Sequence, residues 1–327
     1  MGAAGVNAQS IVQIQQGKPS SIRGMSVVNA QTAWISGSRG YVALTHDGGN
    51  TWEWQQVKGF EKAEFRDIEA FSDKEAVIMS SGTPSLVLKT TDGGNSWKTT
   101  YSNSDTTFFF DAMAFTDKKH GYILGDPIGG KFLMMETKDG GESWERFKYE
   151  PAAFSGEAAF AASGTCLRAD KTKLIISSGG TASRLLTFSF ANNKTQTWAE
   201  TRLPFPHQKA SQGSFSSAAN NKVSIVVGGD YANDKRTDSV ACLISAEKGN
   251  RRITQPATGP QGFQSCVEHI SGDIFLATGT SGSNITTDGG KTWRKIDDTS
   301  FNVCLVSSDG KLVLLAGDRG KTGVLKL

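Results

Sequence analysis

Thr90-Thr-Asp-Gly-Gly-Asn-Ser-Trp97 is the stretch that decides the fold, because it recurs. The same pattern stands at Thr45-His-Asp-Gly-Gly-Asn-Thr-Trp52, Thr137-Lys-Asp-Gly-Gly-Glu-Ser-Trp144 and Thr286-Thr-Asp-Gly-Gly-Lys-Thr-Trp293. Asp47, Asp92 and Asp139 are 45 and 47 residues apart, and Asp288 follows after a further 149, room for two more copies. Two worn copies fill that gap: Asn193-Lys-Thr-Gln-Thr-Trp198 and Ser245-Ala-Glu-Lys-Gly-Asn250. A fixed period of this length marks a repeat architecture.

The motif is first a folding device. Asp-Gly is a strong hairpin turn signal, and the glycines supply positive φ. The carboxylate accepts N–H groups of the turn, and the Ser/Thr hydroxyl bonds within it. The tryptophan offers a large apolar face to a neighbouring unit. Asp47, Trp52, Asp92, Trp97, Asp139, Trp144, Asp288 and Trp293 are therefore read as structural. Each copy has one acid and no bidentate Glu, so a calcium loop is not expected.

Around each turn the chain reads as short apolar runs punctuated by glycine. Seven second runs can be counted, among them Ala33-Trp-Ile-Ser-Gly37, Ala76-Val-Ile-Met-Ser80, Gly121-Tyr-Ile-Leu-Gly125 and Leu312-Val-Leu-Leu-Ala-Gly317. Each unit has a run before it, a third leading into the turn and a fourth after the tryptophan. The expected fold is all-β: a seven-bladed β-propeller of four-stranded antiparallel blades. The seventh unit stops one strand short, and Ile11-Val-Gln-Ile14 is a spare strand that completes it, closing the ring. Residues 1–10 are expected to be a disordered N-terminus or a signal-peptide remnant, and 11–327 a single propeller domain.

Composition narrows the function. Glycine is abundant (37) and proline scarce (8), which fits many tight turns. The net charge of +3 comes without a Lys/Arg run, so no nucleic-acid partner is expected. No apolar stretch approaches the length of a membrane span. Val6-Asn7-Ala8 before Gln9 has the small residues that precede a signal cleavage site, which points to a secreted or periplasmic protein. Cys166, Cys242, Cys266 and Cys304 form no CxxC pair, and the four histidines have no metal spacing. Cys266 and Cys304 fall at equivalent points of neighbouring inner strands and are read as free buried thiols. No metal and no cofactor is expected, and a monomer is the default.

The Asp-box turn is the signature of the sialidase-type BNR repeats. The whole chain more closely resembles the photosystem II stability/assembly factor family and its secreted, non-photosynthetic bacterial relatives. The resemblance rests on Phe65-Arg-Asp-Ile-Glu-Ala-Phe71 and Leu88-Lys-Thr-Thr-Asp-Gly-Gly-Asn-Ser-Trp97, with Phe110-Asp-Ala-Met113, Gly125-Asp-Pro-Ile-Gly-Gly-Lys131 and Gly228-Gly-Asp230. It implies a seven-bladed propeller, export, and binding of a protein or a small ligand.

In a propeller the start of each inner strand and the loop between second and third strands share one face, and the Asp-Gly-Gly turns lie on the other. On the first face the chain should gather Arg23, Arg66, Asp111 and Glu157 from inner-strand starts, with Ser265 opposite. The loops add Arg39, Asp126, Arg184, Asp230 and Arg319, besides Asp234, Arg236 and Asp318. An arginine pair grips a carboxylate or phosphate, and Asp111 with Glu157 is suited to a cation or a basic group. This channel mouth is the expected site for a protein partner or a small acidic ligand. No catalytic residue is assigned. The alternative is a sialidase-type glycoside hydrolase. None of the five tyrosines adjoins a Glu, and Ser21-Ile-Arg-Gly24 lacks an Arg-Ile-Pro signature. His269 has no GxSxG serine to serve and reads as a packed strand histidine.

Overall fold

The computed structural model describes residues 9–191, 196–247 and 250–327. Runs such as Ala33–Gly37 and Ala76–Ser81 are buried at every position rather than alternately. A strand shows that pattern when both faces of its sheet are covered. Seven four-stranded blades stacked side by side around an axis meet that demand, because each blade covers the next.

Blade 1 is Ile22–Val27, Ala33–Gly37, Tyr41–Thr45 and Glu53–Gln56; blade 2 is Glu64–Ala70, Ala76–Ser81, Ser85–Thr90 and Lys98–Asn103. Blade 3 is Phe110–Phe115, Gly121–Ile128, Lys131–Thr137 and Glu145–Arg146; blade 4 is Leu167–Ala169, Lys173–Ser177, Arg184–Ser189 and Trp198–Arg202. Blade 5 is Gln212–Ala219, Val223–Asp230, Ala241–Glu247 and Asn250–Thr254, and blade 6 is Cys266–Ser271, Ile274–Gly279, Gly282–Thr286 and Arg294–Asp297. Blade 7 has Val303–Val306, Val313–Ala316 and Thr322–Lys326 from the end of the chain, and Ser10–Gln15 from its beginning as the fourth strand. The register Ile11↔Leu325 and Val12↔Val324 closes the ring as the sequence leads one to expect. Residues 1–8, residues 193–195 of one worn repeat and 248–249 of the other lie outside the described residues.

The four Asp-Gly-Gly turns share one hydrogen-bond scheme. The Thr45 hydroxyl donates to Asp47 Oδ1 (2.8 Å) and accepts from the Gly49 amide (2.9 Å). Asp47 in turn accepts from the Thr51 amide (2.8 Å) and hydroxyl (2.7 Å). The scheme repeats at Asp92, Asp139 and Asp288. Hydrogen bonds from Thr51 and Ser96 foremost hold the Asp47 and Asp92 carboxyls below their ordinary value. At Asp139 and Asp288 the same kind of donors outweigh burial, which pushes the other way.

The second glycine of each turn seats one blade on the one before it. A Cβ at Gly49 would meet Leu314, at Gly141 Val77 and at Gly290 Ile225, all on second strands of the preceding blade. Gly141 has φ +86°, and its Cβ would lie 2.9 Å from Val77 Cγ2. Gly141→Ala is therefore expected to cost about 1–3 kcal/mol in urea unfolding. Combined with Val77→Ala it should cost less than the two changes summed, since one clash is then relieved. Strict additivity would show that this contact does not set the blade spacing.

The inner strands of blades 1, 2, 3 and 5 turn a side chain into the channel by a local irregularity. The register slips by one residue between Ile22 and Gly24, Phe65 and Asp67, Phe110 and Ala112, and Ser214 and Ser216. A bulge of this kind re-aims the extra residue. The extra residues are Arg23, Arg66, Asp111 and Phe215.

Candidate functional site

Three of those four bulge residues are charged, and all four line one cavity of about 510 Å³ at the channel mouth, with Asp126, Ser265, Asn302 and Asp318. The expected set is thus brought together at Arg23, Arg66, Asp111 and Asp126. Ser265 and Asn302 complete the ring from blades 6 and 7.

Blade 4 departs from the expectation. Its inner strand starts at Leu167, and Glu157–Ala158 forms a separate short strand paired with Gly179–Gly180, which extends the sheet of blade 5. From Ala158 the chain crosses the mouth as a strap of small residues. Arg66 donates to the Ala161 carbonyl (3.1 Å) and Arg23 to the Ala162 carbonyl (3.3 Å). The Ala161 and Ala159 amides serve Asp111 and Asp126. The Ser163 hydroxyl reaches the Ser265 carbonyl in blade 6 (2.8 Å). Gly164, at φ +72°, lies so close to the Asp67 carboxylate of blade 2 that a Cβ there would meet both oxygens at 2.5 Å. One segment is thereby tied to blades 1, 2, 3 and 6.

Glu157 and Arg184 do not belong to the cavity of Arg23 and Arg66, which corrects the pairing of Glu157 with Asp111. Arg184 Nε bonds Glu157 Oε1 at 2.8 Å, Nη2 bonds Oε2, and Nη1 bonds Glu200 at 2.7 Å. Asp230 is also spoken for: it accepts from Gln212 (2.9 Å) and caps the short turn Tyr231–Asn233 through the Ala232 amide (3.0 Å). Arg39 and Arg319 sit exposed at φ 60° on the tips of turns between second and third strands. Their carbonyls are used by Gln56 and Gly17. His269 packs on Phe275 (4.8 Å between ring centroids), as its strand position suggests. Cys266 and Cys304 are unbridged and buried.

Burial, and then the neighbouring Arg66, lower the pKa of Arg23 against the pull of Asp318 and Glu64. Arg66 has only Glu64 within ion-pair reach (3.6 Å), and its Nε is buried with no partner among the described residues. Burial and the adjacent Asp126 hold Asp111 well above the usual carboxyl range, against the pull of Arg66. Burial raises Asp126 to about 6. One oxygen of each, Asp111 Oδ2 and Asp126 Oδ1, is buried without a partner among the described residues. The mouth therefore sets two close guanidiniums, with Glu64 and Asp318 as the opposite charges near Arg23, beside Asp111, which burial keeps disposed to stay protonated, and Asp126, raised to about 6. Such a surface favours an incoming anion.

Sequence reasoning missed the aromatic half of the cavity. Phe215 and Phe160 stack at 3.8 Å and 4°, and Phe263 stands edge-on to Phe215 at 4.7 Å. Tyr231 covers this group from the rim.

Fold and site define a class: a seven-bladed propeller on Asp-Gly-Gly turns with a polar, strapped channel mouth. Within that class, residues 6–105 match the family model of the photosynthesis system II assembly factor YCF48. Among solved structures it is similar to YCF48 bound to D1 peptide (17% identity, 99% of each chain, TM-score 0.68). It is similar as well to YCF48 from Cyanidioschyzon merolae (17% identity, 96% of this chain and 98% of that one, TM-score 0.66). An inactive virginiamycin B lyase from Staphylococcus aureus with quinupristin shares the fold at 12% identity, over 98% of this chain and all of that one, with a TM-score of 0.68. No curated protein matches the chain. Among the described residues, no helix is long and apolar enough to cross a membrane.

Proposed function

We propose that this propeller binds a protein partner by gripping a carboxylate-bearing peptide segment at the channel mouth, and that it does so as an exported or periplasmic assembly factor. The observation that carries the reading is the pair Arg23 and Arg66: adjacent, partly buried, repelling each other, each spending one N–H on a strap carbonyl, with Arg66 Nε buried and without a partner among the described residues. A carboxylate placed between them accepts charge-assisted bonds and relieves their mutual repulsion. The peptide bound to a YCF48 structure supports this choice of ligand class, and the small residues Val6-Asn7-Ala8 before Gln9 support the compartment.

Calorimetric titration with a short peptide, once with a free C-terminal carboxylate and once amidated, tests the reading. The free acid should bind, more weakly as salt rises, and Arg66→Ala should weaken it by about tenfold or more. Equal binding of acid and amide would overturn it. Turnover of a sialoside, lost on Asp126→Asn, would replace it with an enzyme.

A further inference from the structure

The cavity that holds the two arginines has a second wall of a different chemistry. Phe160 of the strap lies flat on Phe215, the bulge residue of blade 5, and Phe263 closes the stack from the side. Tyr231 stands edge-on to all three rings at 6.2–6.5 Å between centroids. Although packed against this cluster, Tyr231 is 52% exposed, one of four large apolar or aromatic residues in the described chain that reach the surface so fully. The cavity of about 510 Å³ falls in the range that holds a few peptide residues. Rigid aromatic groups at the centre of a concave surface are where binding energy concentrates.

We propose that this cluster is a subsite for an aromatic side chain of the bound peptide, two residues before its terminal carboxylate. The inference rests on the carboxylate reading above and adds the second determinant. The spacing comes from the strap. Phe160 gives its ring to Phe215, while the carbonyls one and two residues later, on Ala161 and Ala162, are held by Arg66 and Arg23. The molecule thus shows on its own backbone, in a tight turn whose Ala162 amide bonds the Phe160 carbonyl (2.7 Å), how an aromatic ring and arginine-bound oxygens are spaced along one segment. A partner ending in an aromatic residue, two small residues and a carboxylate repeats that spacing: its ring meets the exposed Tyr231 edge while its carboxylate takes the unspent N–H groups of the arginines. Charge on one wall and rings on the other fix both the direction and the register of the segment.

The test uses the full chain and three peptides: acetyl-Gly-Phe-Ala-Ala as the free acid, acetyl-Gly-Ala-Ala-Ala as the free acid, and the first as its amide. The phenylalanine acid should bind at least about tenfold more tightly than the alanine acid. Tyr231→Ala should shrink that ratio to within about twofold, and Arg66→Ala should weaken both acids while keeping the ratio. Two acids that bind equally, both dependent on Arg66, would overturn the aromatic subsite and leave the carboxylate reading standing. An amide that binds as well as its acid, dependent on Tyr231 and not on Arg66, would do the reverse. Binding of none of the three overturns both.

Discussion

Replacing Arg184 with alanine will cost about 3–5 kcal/mol of unfolding free energy, read from urea denaturation. The side chain of Arg184 is 5% exposed and that of its partner Glu157 is 0% exposed. The guanidinium also donates to the Ala152 carbonyl (2.9 Å) and lies under the Phe154 ring, 4.3 Å from its centre. Glu157 in turn accepts from the Phe154 amide (2.9 Å) and the Ser178 hydroxyl (2.5 Å). Removing the cation leaves a buried carboxylate with only the Phe154 amide and the Ser178 hydroxyl as donors. Its desolvation is then uncompensated, and that cost sets the size of the effect. The double variant Arg184→Met with Glu157→Leu should recover most of the loss, since apolar groups of similar volume need no partner. A loss under about 1 kcal/mol for Arg184→Ala would mean that the pair is solvated and the strap anchored elsewhere.

The same pair marks where the sequence stops being informative. Blade number, strand order, the closing N-terminal strand and the turn chemistry are all legible, because they rest on local signals repeated at a fixed period. The mouth is legible in blades 1–3, where the unit is regular. Fourteen residues separate Arg23 from Gly37, Arg66 from Ser80, Asp111 from Gly125 and Ser265 from Gly279. Counting the same distance back from Ser177 reaches Ser163, not Glu157. Ser163 is the residue whose hydroxyl bridges to Ser265. Glu157 was drawn into the ring by its charge, although the spacing had already excluded it.

The aromatic wall was hidden for a different reason. Phe215 stands in an inner strand among serines, where a lone phenylalanine reads as core. Only the bulge between Ser214 and Ser216 turns it towards the channel. A bulge is a property of the pairing, so no single-strand pattern announces it. The strap is equally silent: Ala158-Ala-Phe-Ala-Ala-Ser-Gly164 has the composition of a loop. Its position follows from arginines and carboxyls on blades that are far away in sequence.

Those carboxyls make stability depend on pH in an uncommon direction. Burial raises Glu69 to about 7, with only the Ser26 hydroxyl pulling the other way. It faces Asp67, which burial also raises, on the same channel wall, and Arg168, which also lines this cavity, is engaged by Glu268 (2.8 Å). Asp126 is raised to about 6. A carboxyl raised on folding contributes stability that is full below its unfolded pKa and is lost as pH climbs through the folded value. For Glu69 that window runs from about pH 4.5 to 7, and for Asp126 from about pH 3.8 to 6. The lowered carboxyls of Asp47, Asp92, Asp139 and Asp288 act oppositely, and their contribution is lost only as pH falls below the ordinary carboxyl range. The Cys266 thiol acts with the reverse sign: burial pushes it up, but a hydrogen bond with Cys304 and the charge of Arg168 bring it below its ordinary value. Unfolding free energy should therefore peak near pH 5 and fall by pH 7, on the order of 2 kcal/mol from Glu69 and less from the more accessible Asp126. Glu69→Gln should flatten most of that slope and Asp126→Asn part of it, because an amide keeps the shape and cannot ionise. A wild-type curve that is level or rising between pH 5 and 7 would mean that both carboxyls are ionised in the folded protein. At the mouth an ionised Asp126 would add a negative charge beside Arg23 and Arg66 and so count against an anionic ligand there, whereas Glu69 lines a separate cavity.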